Sequence, residues 1–289
     1  MPPRAGSERG WLMRRKNLFT RGGAQPLERA ASVSPATASR VDPREVGLIA
    51  ALLILAAASW IFTSVQMSGM DMGPWTDPGP LGWFVITWVV MLAAMMFPSV
   101  APMVVAYARI HTHRRNAGRY APPGSTAVFV AGYLITWTVF GMAAYSLYAS
   151  VATLVPGLFA ADQGGRYLAA GVIMVAAAYQ LTPAKNVALM KCRSPMDFIL
   201  HRMRHGYGGA LRMGVEHGAW CVACCWALMV ALFALGVMSV GWMAVVGAFI
   251  AGEKLLPWKR LANLSVAVAL AVIAVGVALS PVAMDGMGM

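Results

Sequence analysis

Apolar residues in this chain gather into long blocks separated by short polar stretches. Seven blocks can be drawn, over residues 46–66, 81–106, 126–151, 166–181, 214–237, 238–256 and 261–282. Most approach the ~20 residues that a helix needs to cross a bilayer. The fourth is shorter and runs on toward Lys185. The fifth and sixth abut, which predicts a tight helical hairpin. Two prolines, Pro98 and Pro102, interrupt the second block. Each removes a backbone donor and crowds the carbonyl four residues earlier, so the turn at Ala94 should loosen.

Composition turns this pattern into a class. The chain is 59% hydrophobic and 12% charged, with a mean hydropathy of +0.63. A soluble domain averages about 25% charged residues. One core cannot hide this much apolar surface from water, so the bilayer is the solvent. The expected fold is all-α: a polytopic membrane protein of about seven transmembrane helices. Residues 1–45 hold nine Lys/Arg without apolar periodicity and are expected to form a disordered basic tail. A nucleic-acid role for that tail is disfavoured beside a membrane block. Residues 46–283 form the helical domain, and 284–289 a Met-rich tail. No short apolar region with a cleavage site precedes the first block, so no removable signal peptide is expected.

Charge orients the helices. With the N-terminus in the cytoplasm, all of the 23 Lys/Arg except Arg166 fall on the inner side. The opposite loops carry Asp71, Asp77, Asp162 and Asp285. Cationic loops stay inside. The expectation is therefore a multi-pass protein of a bacterial inner membrane, N-terminus cytoplasmic and C-terminus periplasmic.

Candidate chemistry centres on the fifth block. Three of the four cysteines, Cys221, Cys224 and Cys225, lie one turn after His217. At ~100° per residue these four side chains share one stripe of a helix. Thiolate and imidazole suit soft or borderline metals. The stripe rises ~12 Å from His217 to Cys225, so one ion cannot meet all four. Cu(I) accepts two or three soft ligands; zinc, the alternative ion, usually wants four. Met91, Met95 and Met96 in the second block are candidate partners from another helix. Gly214 and Gly218 form a small-xxx-small pair that lets a neighbour approach closely.

Soft thioethers recur on the outer side, as Met67, Met70 and Met72 in the first loop and Met284, Met287 and Met289 in the tail. Methionine outside and thiol inside would suit a Cu(I) path across the membrane. Cys192, in a basic loop, reads equally as a loading ligand or as a residue without function. His111, His113, His201 and His205 sit among arginines, which repel cations, and are read as headgroup-facing.

Other chemistries lack their residues. There is no phosphate-binding loop and no aspartyl-phosphate motif for ATP-driven pumping. The last block has no Lys for a Schiff base. Glu216 and Glu253 are placed at inner edges, so no intramembrane proton relay is expected. No Ser/His/Asp set argues for hydrolysis, and no catalytic residue is assigned.

Several runs together carry a resemblance. They are Ala94-Met95-Met96-x-Pro98, Tyr179-Gln180-Leu181-Thr182-Pro183-x-Lys185, Cys192-Arg193-Ser194-Pro195, Gly209-Ala210-Leu211-Arg212-Met213-Gly214, His217-Gly218-x-x-Cys221-x-x-Cys224-Cys225-Trp226 and Glu253-Lys254-Leu255-Leu256-Pro257. Over roughly residues 46–280 the chain resembles the DUF2182 family of predicted metal-binding integral membrane proteins, some described as copper chaperones. The resemblance implies a Cu(I)-binding or relay protein that helps assemble a membrane or periplasmic cuproprotein. Self-association through helices stays open. Two rivals stand beside it: a membrane thiol–disulfide oxidoreductase using Cys221 and Cys224, and an accessory subunit that holds no metal.

Overall fold

The computed structural model describes residues 43–68, 75, 77–155, 158, 163–194, 198–199, 204–256 and 259–280. The basic tail up to residue 42, the outer-loop Met70 and Met72, His201 and the Met-rich tail lie outside the described residues. Eight helices are described: α1 Pro43–Gln66, α2 Leu81–Asn116, α3 Ser125–Leu154, α4 Gln163–Gln180, α5 Pro183–Arg193, α6 Gly206–Gly236, α7 Val240–Leu255 and α8 Lys259–Leu279. No strand occurs among the described residues.

All seven expected blocks are helical. α5 is the addition. The fourth block does run past residue 181, but it breaks there and bends by 68° into α5. The cause is local. Thr182 is extended and caps α5, its hydroxyl accepting the Lys185 N–H at 3.2 Å. Pro183 follows at a position where its missing N–H costs nothing. By length and composition α1, α2, α3, α6 and α8 can each cross a membrane, and a sixth crossing exists if α4 and α5 are one bent span. That is fewer than the seven expected. The shortfall is α7, whose 16 residues rise only ~24 Å against a hydrocarbon core of ~30 Å.

α6 is the central helix, packed against α3, α4, α5 and α7. Small residues allow its closest contact. A Cβ on Gly214 would run into the Phe129 carbonyl oxygen of α3, and one on Gly132 of α3 into the Leu211 oxygen of α6. Gly218 continues the seam against Thr136, whose hydroxyl lies 3.3 Å from the Val215 carbonyl. The predicted small-xxx-small pair thus faces α3, giving the close backbone approach typical of helices in lipid.

α2 stays helical through both prolines. The carbonyl of Ala94, which Pro98 cannot satisfy, instead accepts the Trp60 indole N–H from α1 at 3.1 Å. The loosened turn therefore docks a neighbouring helix. On the outside of the bundle, Ile54, Ile61 and Val65 of α1 and Leu261, Leu264, Val268 and Val272 of α8 are exposed. Such an apolar periphery is what lipid contact requires.

Candidate metal centre

Cys221, Cys224 and Cys225 project from the middle of α6 and are buried. The i,i+3 spacing sets Cys221 and Cys224 on one side, and the Cys224 thiol donates back to the Cys221 carbonyl at 3.2 Å. Cys225 Sγ lies 3.2 Å from Cys224 Sγ. The third sulfur near Cys221 and Cys224 comes from Cys192, at the end of α5. The sulfurs of Cys192, Cys221 and Cys224 all lie within 4.8 Å of one another. A metal–thiolate bond is about 2.3 Å, so two sulfurs on one ion stand at most about 4.6 Å apart. Little contraction would close this triangle around an ion.

The basic flanks of Cys192 leave two readings open, a loading ligand or a residue without function, and the structure sets its sulfur beside Cys221 and Cys224. It reaches the cluster because α5 folds back along α6. The signal in the sequence was Thr182-Pro183, a helix start eleven residues upstream of Arg193. α5 is then latched. The Lys185 ammonium donates to the Cys224 carbonyl at 2.6 Å and to Glu253 Oε2 of α7 at 2.6 Å. The Tyr179 hydroxyl of α4 donates to the neighbouring Ala223 carbonyl at 2.6 Å. Arg193 donates to the Glu253 carbonyl at 2.9 Å.

These contacts correct the placement of three charges. The loop-charge pattern places Lys185 and Lys254 among the inner-loop cations and Glu253 at an inner edge. Lys185 and Glu253 are 0% and 1% exposed, and Lys254 8%. They face protein. A buried charge needs a partner; Lys185 and Glu253 serve each other across 68 residues of sequence. Lys254, the next residue of α7, donates instead to Cys221 Sγ at 3.0 Å and to Ser99 Oγ at 3.3 Å. Ser99 in turn donates to the Met96 carbonyl at 2.9 Å. The Tyr133 hydroxyl from α3 completes the surroundings of Cys221, 3.1 Å from its sulfur.

His217 lies outside the sulfur triangle. It is buried among Phe129, Tyr133 and Phe198, with ring centroids 5.6–6.0 Å away, and its Nδ1 has no hydrogen-bond partner. Met91, Met95 and Met96 are buried on α2. Met95 packs its Cγ and Sδ over Gly247 of α7, at 3.3 and 3.6 Å from where a Cβ would stand. Met67 is buried just beyond α1. Glu216 pairs with Arg212 at 3.4 Å.

Fold and site together define a helical bundle, several of whose helices are apolar and long enough to cross a membrane, built around a buried soft-metal donor set. The chain belongs to the PpoB2 copper chaperone family, whose model matches residues 85–278. The match takes in all four cysteines and every residue of the latch. No curated protein and no solved structure gives a significant match.

Proposed function

We propose that this protein binds Cu(I) on Cys192, Cys221 and Cys224 and delivers it to a membrane or periplasmic cuproprotein. One observation carries the reading: three thiol sulfurs from two helices, those of buried Cys221 and Cys224 and of half-buried Cys192, lie within 4.8 Å of one another. Thiolates favour Cu(I) over the hard divalent ions, and two or three of them are enough. The family match supports copper as the cargo. Cys225 stands beside Cys224 as an exchange ligand. His217 waits one turn toward the inner end. Met91, Met95 and Met96, with Met67, Met70 and Met72 of the loop that the sequence predicts to be outside, are the soft donors for onward transfer. On this reading the protein sits in a bacterial inner membrane with its N-terminus in the cytoplasm, where thiols stay reduced.

The test is copper content. Detergent-purified protein loaded with Cu(I) under reductant should bind it stoichiometrically. Cys221→Ser and Cys224→Ser should abolish retention against a competing chelator, and Cys192→Ser should weaken it. A wild-type protein that holds no copper but cycles a Cys221–Cys224 disulfide would instead favour the oxidoreductase reading. Neither behaviour would leave a packing role for the cysteines.

A further inference from the structure

Two buried lysines approach the thiol cluster, and only one is matched by a carboxylate. Glu253 and Lys254 are adjacent on α7, so their side chains leave the helix ~100° apart. Glu253 is taken by Lys185 at 2.6 Å. Lys254 makes no salt bridge to a carboxylate among the described residues; its partners are Cys221 Sγ and Ser99 Oγ. Among the described residues the surroundings of the site thus hold two buried ammoniums and one carboxylate, which leaves one positive charge for sulfur to balance. An ion bonded to Cys221 at about 2.3 Å would lie no more than about 5.3 Å from that ammonium.

We propose that Lys254 is a specificity-determining residue, whose ammonium makes the thiol cluster a site for a monovalent soft ion and disfavours divalent zinc. The inference rests on the metal-binding reading above. Its first support is charge. Lys254 has no carboxylate partner among the described residues, so a bound ion adds its own positive charge to one already buried beside Cys221, one unit for Cu(I) and two for zinc.

The second support is repulsion. At equal distance the ammonium repels a dication twice as strongly as a monocation. The third is coordination. Zinc needs a fourth donor beyond the three cysteines; Cys225 stands on the Cys224 side of the cluster, while the ammonium beside Cys221 has no lone pair to offer. Ser99 holds Lys254 in this position, and Met96 orients Ser99.

The experiment measures Cu(I) and Zn²⁺ affinities by chelator competition on the detergent-purified full chain. Wild type, Lys254→Met and Lys254→Arg are compared. Lys254→Met keeps the length of the side chain and deletes its charge, and should shift the Cu(I)-to-Zn²⁺ affinity ratio toward zinc by about tenfold or more. Lys254→Arg, which keeps the charge, should stay within about threefold of wild type. A structural role would weaken both metals together and leave the ratio unmoved. An unchanged ratio in Lys254→Met, with copper still lost in Cys221→Ser, overturns this inference and spares the copper site. Wild-type copper binding that survives all three cysteine substitutions overturns the site itself, and this inference with it.

Discussion

Lys185 sits in a dry cage with one anionic partner, and its environment sets the cost of removing that partner. Glu253→Gln would leave the ammonium without a counter-charge. The expected loss is about 3–5 kcal/mol of stability, while Lys185→Met combined with Glu253→Gln should recover much of it, because no charge is then stranded. Thermal unfolding of wild type and the two variants in detergent reads this directly; a Glu253→Gln variant as stable as wild type would refute the cage. Sequence alone could not see the pair. A Lys or Glu at the end of an apolar block looks the same whether it meets headgroups or turns inward, and these two are 68 positions apart. The α6 cysteines were legible for the opposite reason. Their grouping is local, and helical periodicity alone puts Cys221 and Cys224 on one side. Cys192 fell between these cases: its helix had a readable start, yet its contact with α6 depends on a bend that spacing does not specify.

Single helices were easy to place, while the contacts between them hang on particular atoms. The α3–α6 seam depends on missing side chains at Gly132 and Gly214. Gly214→Val should therefore force the helices apart and cost about 1–3 kcal/mol or more. Gly171→Ala, where a Cβ meets nothing within 4 Å, should be close to neutral; equal melting of the two variants would rule out the seam. The α1–α2 contact offers a sharper test, because one proline sets it up. Trp60→Phe strands the Ala94 carbonyl and should cost about 1–3 kcal/mol. On a Pro98→Ala background the new amide can satisfy that carbonyl within α2, so Trp60→Phe should then cost much less. A double-mutant cycle on thermal stability measures the difference. Additive effects would mean that the indole bond is incidental. Here the sequence indicated the weak turn, since proline chemistry is local, but not that a tryptophan from α1 would fill it.

Across the whole molecule, four of the six runs that carried the family resemblance meet at one place. Lys185 follows Tyr179-Gln180-Leu181-Thr182-Pro183, Cys192 and Arg193 begin the next run, Cys221 and Cys224 form the third, and Glu253 and Lys254 open the last. Hydrogen bonds or sulfur contacts connect each of them to its neighbours. Scattered motifs become one site because α4, α5 and α7 all pack on α6. On the proposed inner-membrane reading, loop charge sets the direction of the bundle. Moving Lys185 and Lys254 from the loops to the interior leaves the bias intact, since Arg109, Arg114, Arg115, Arg119, Arg204 and Arg212 still belong to one side. α7 decides where the chain ends. If its 16 residues complete a short crossing between α6 and α8, the two termini lie on opposite sides; if they do not, α8 returns and both lie on the same side. Burial argues for the crossing, because α7 is flanked by α2, α5, α6 and α8 and so need not match the lipid thickness on its own. A reporter active only in the periplasm, fused after Met289, should be active, and the same reporter placed at Gly118 should be silent. Activity at Gly118 with silence at Met289 would reverse the bundle, and silence at both would mean that α7 turns back without crossing.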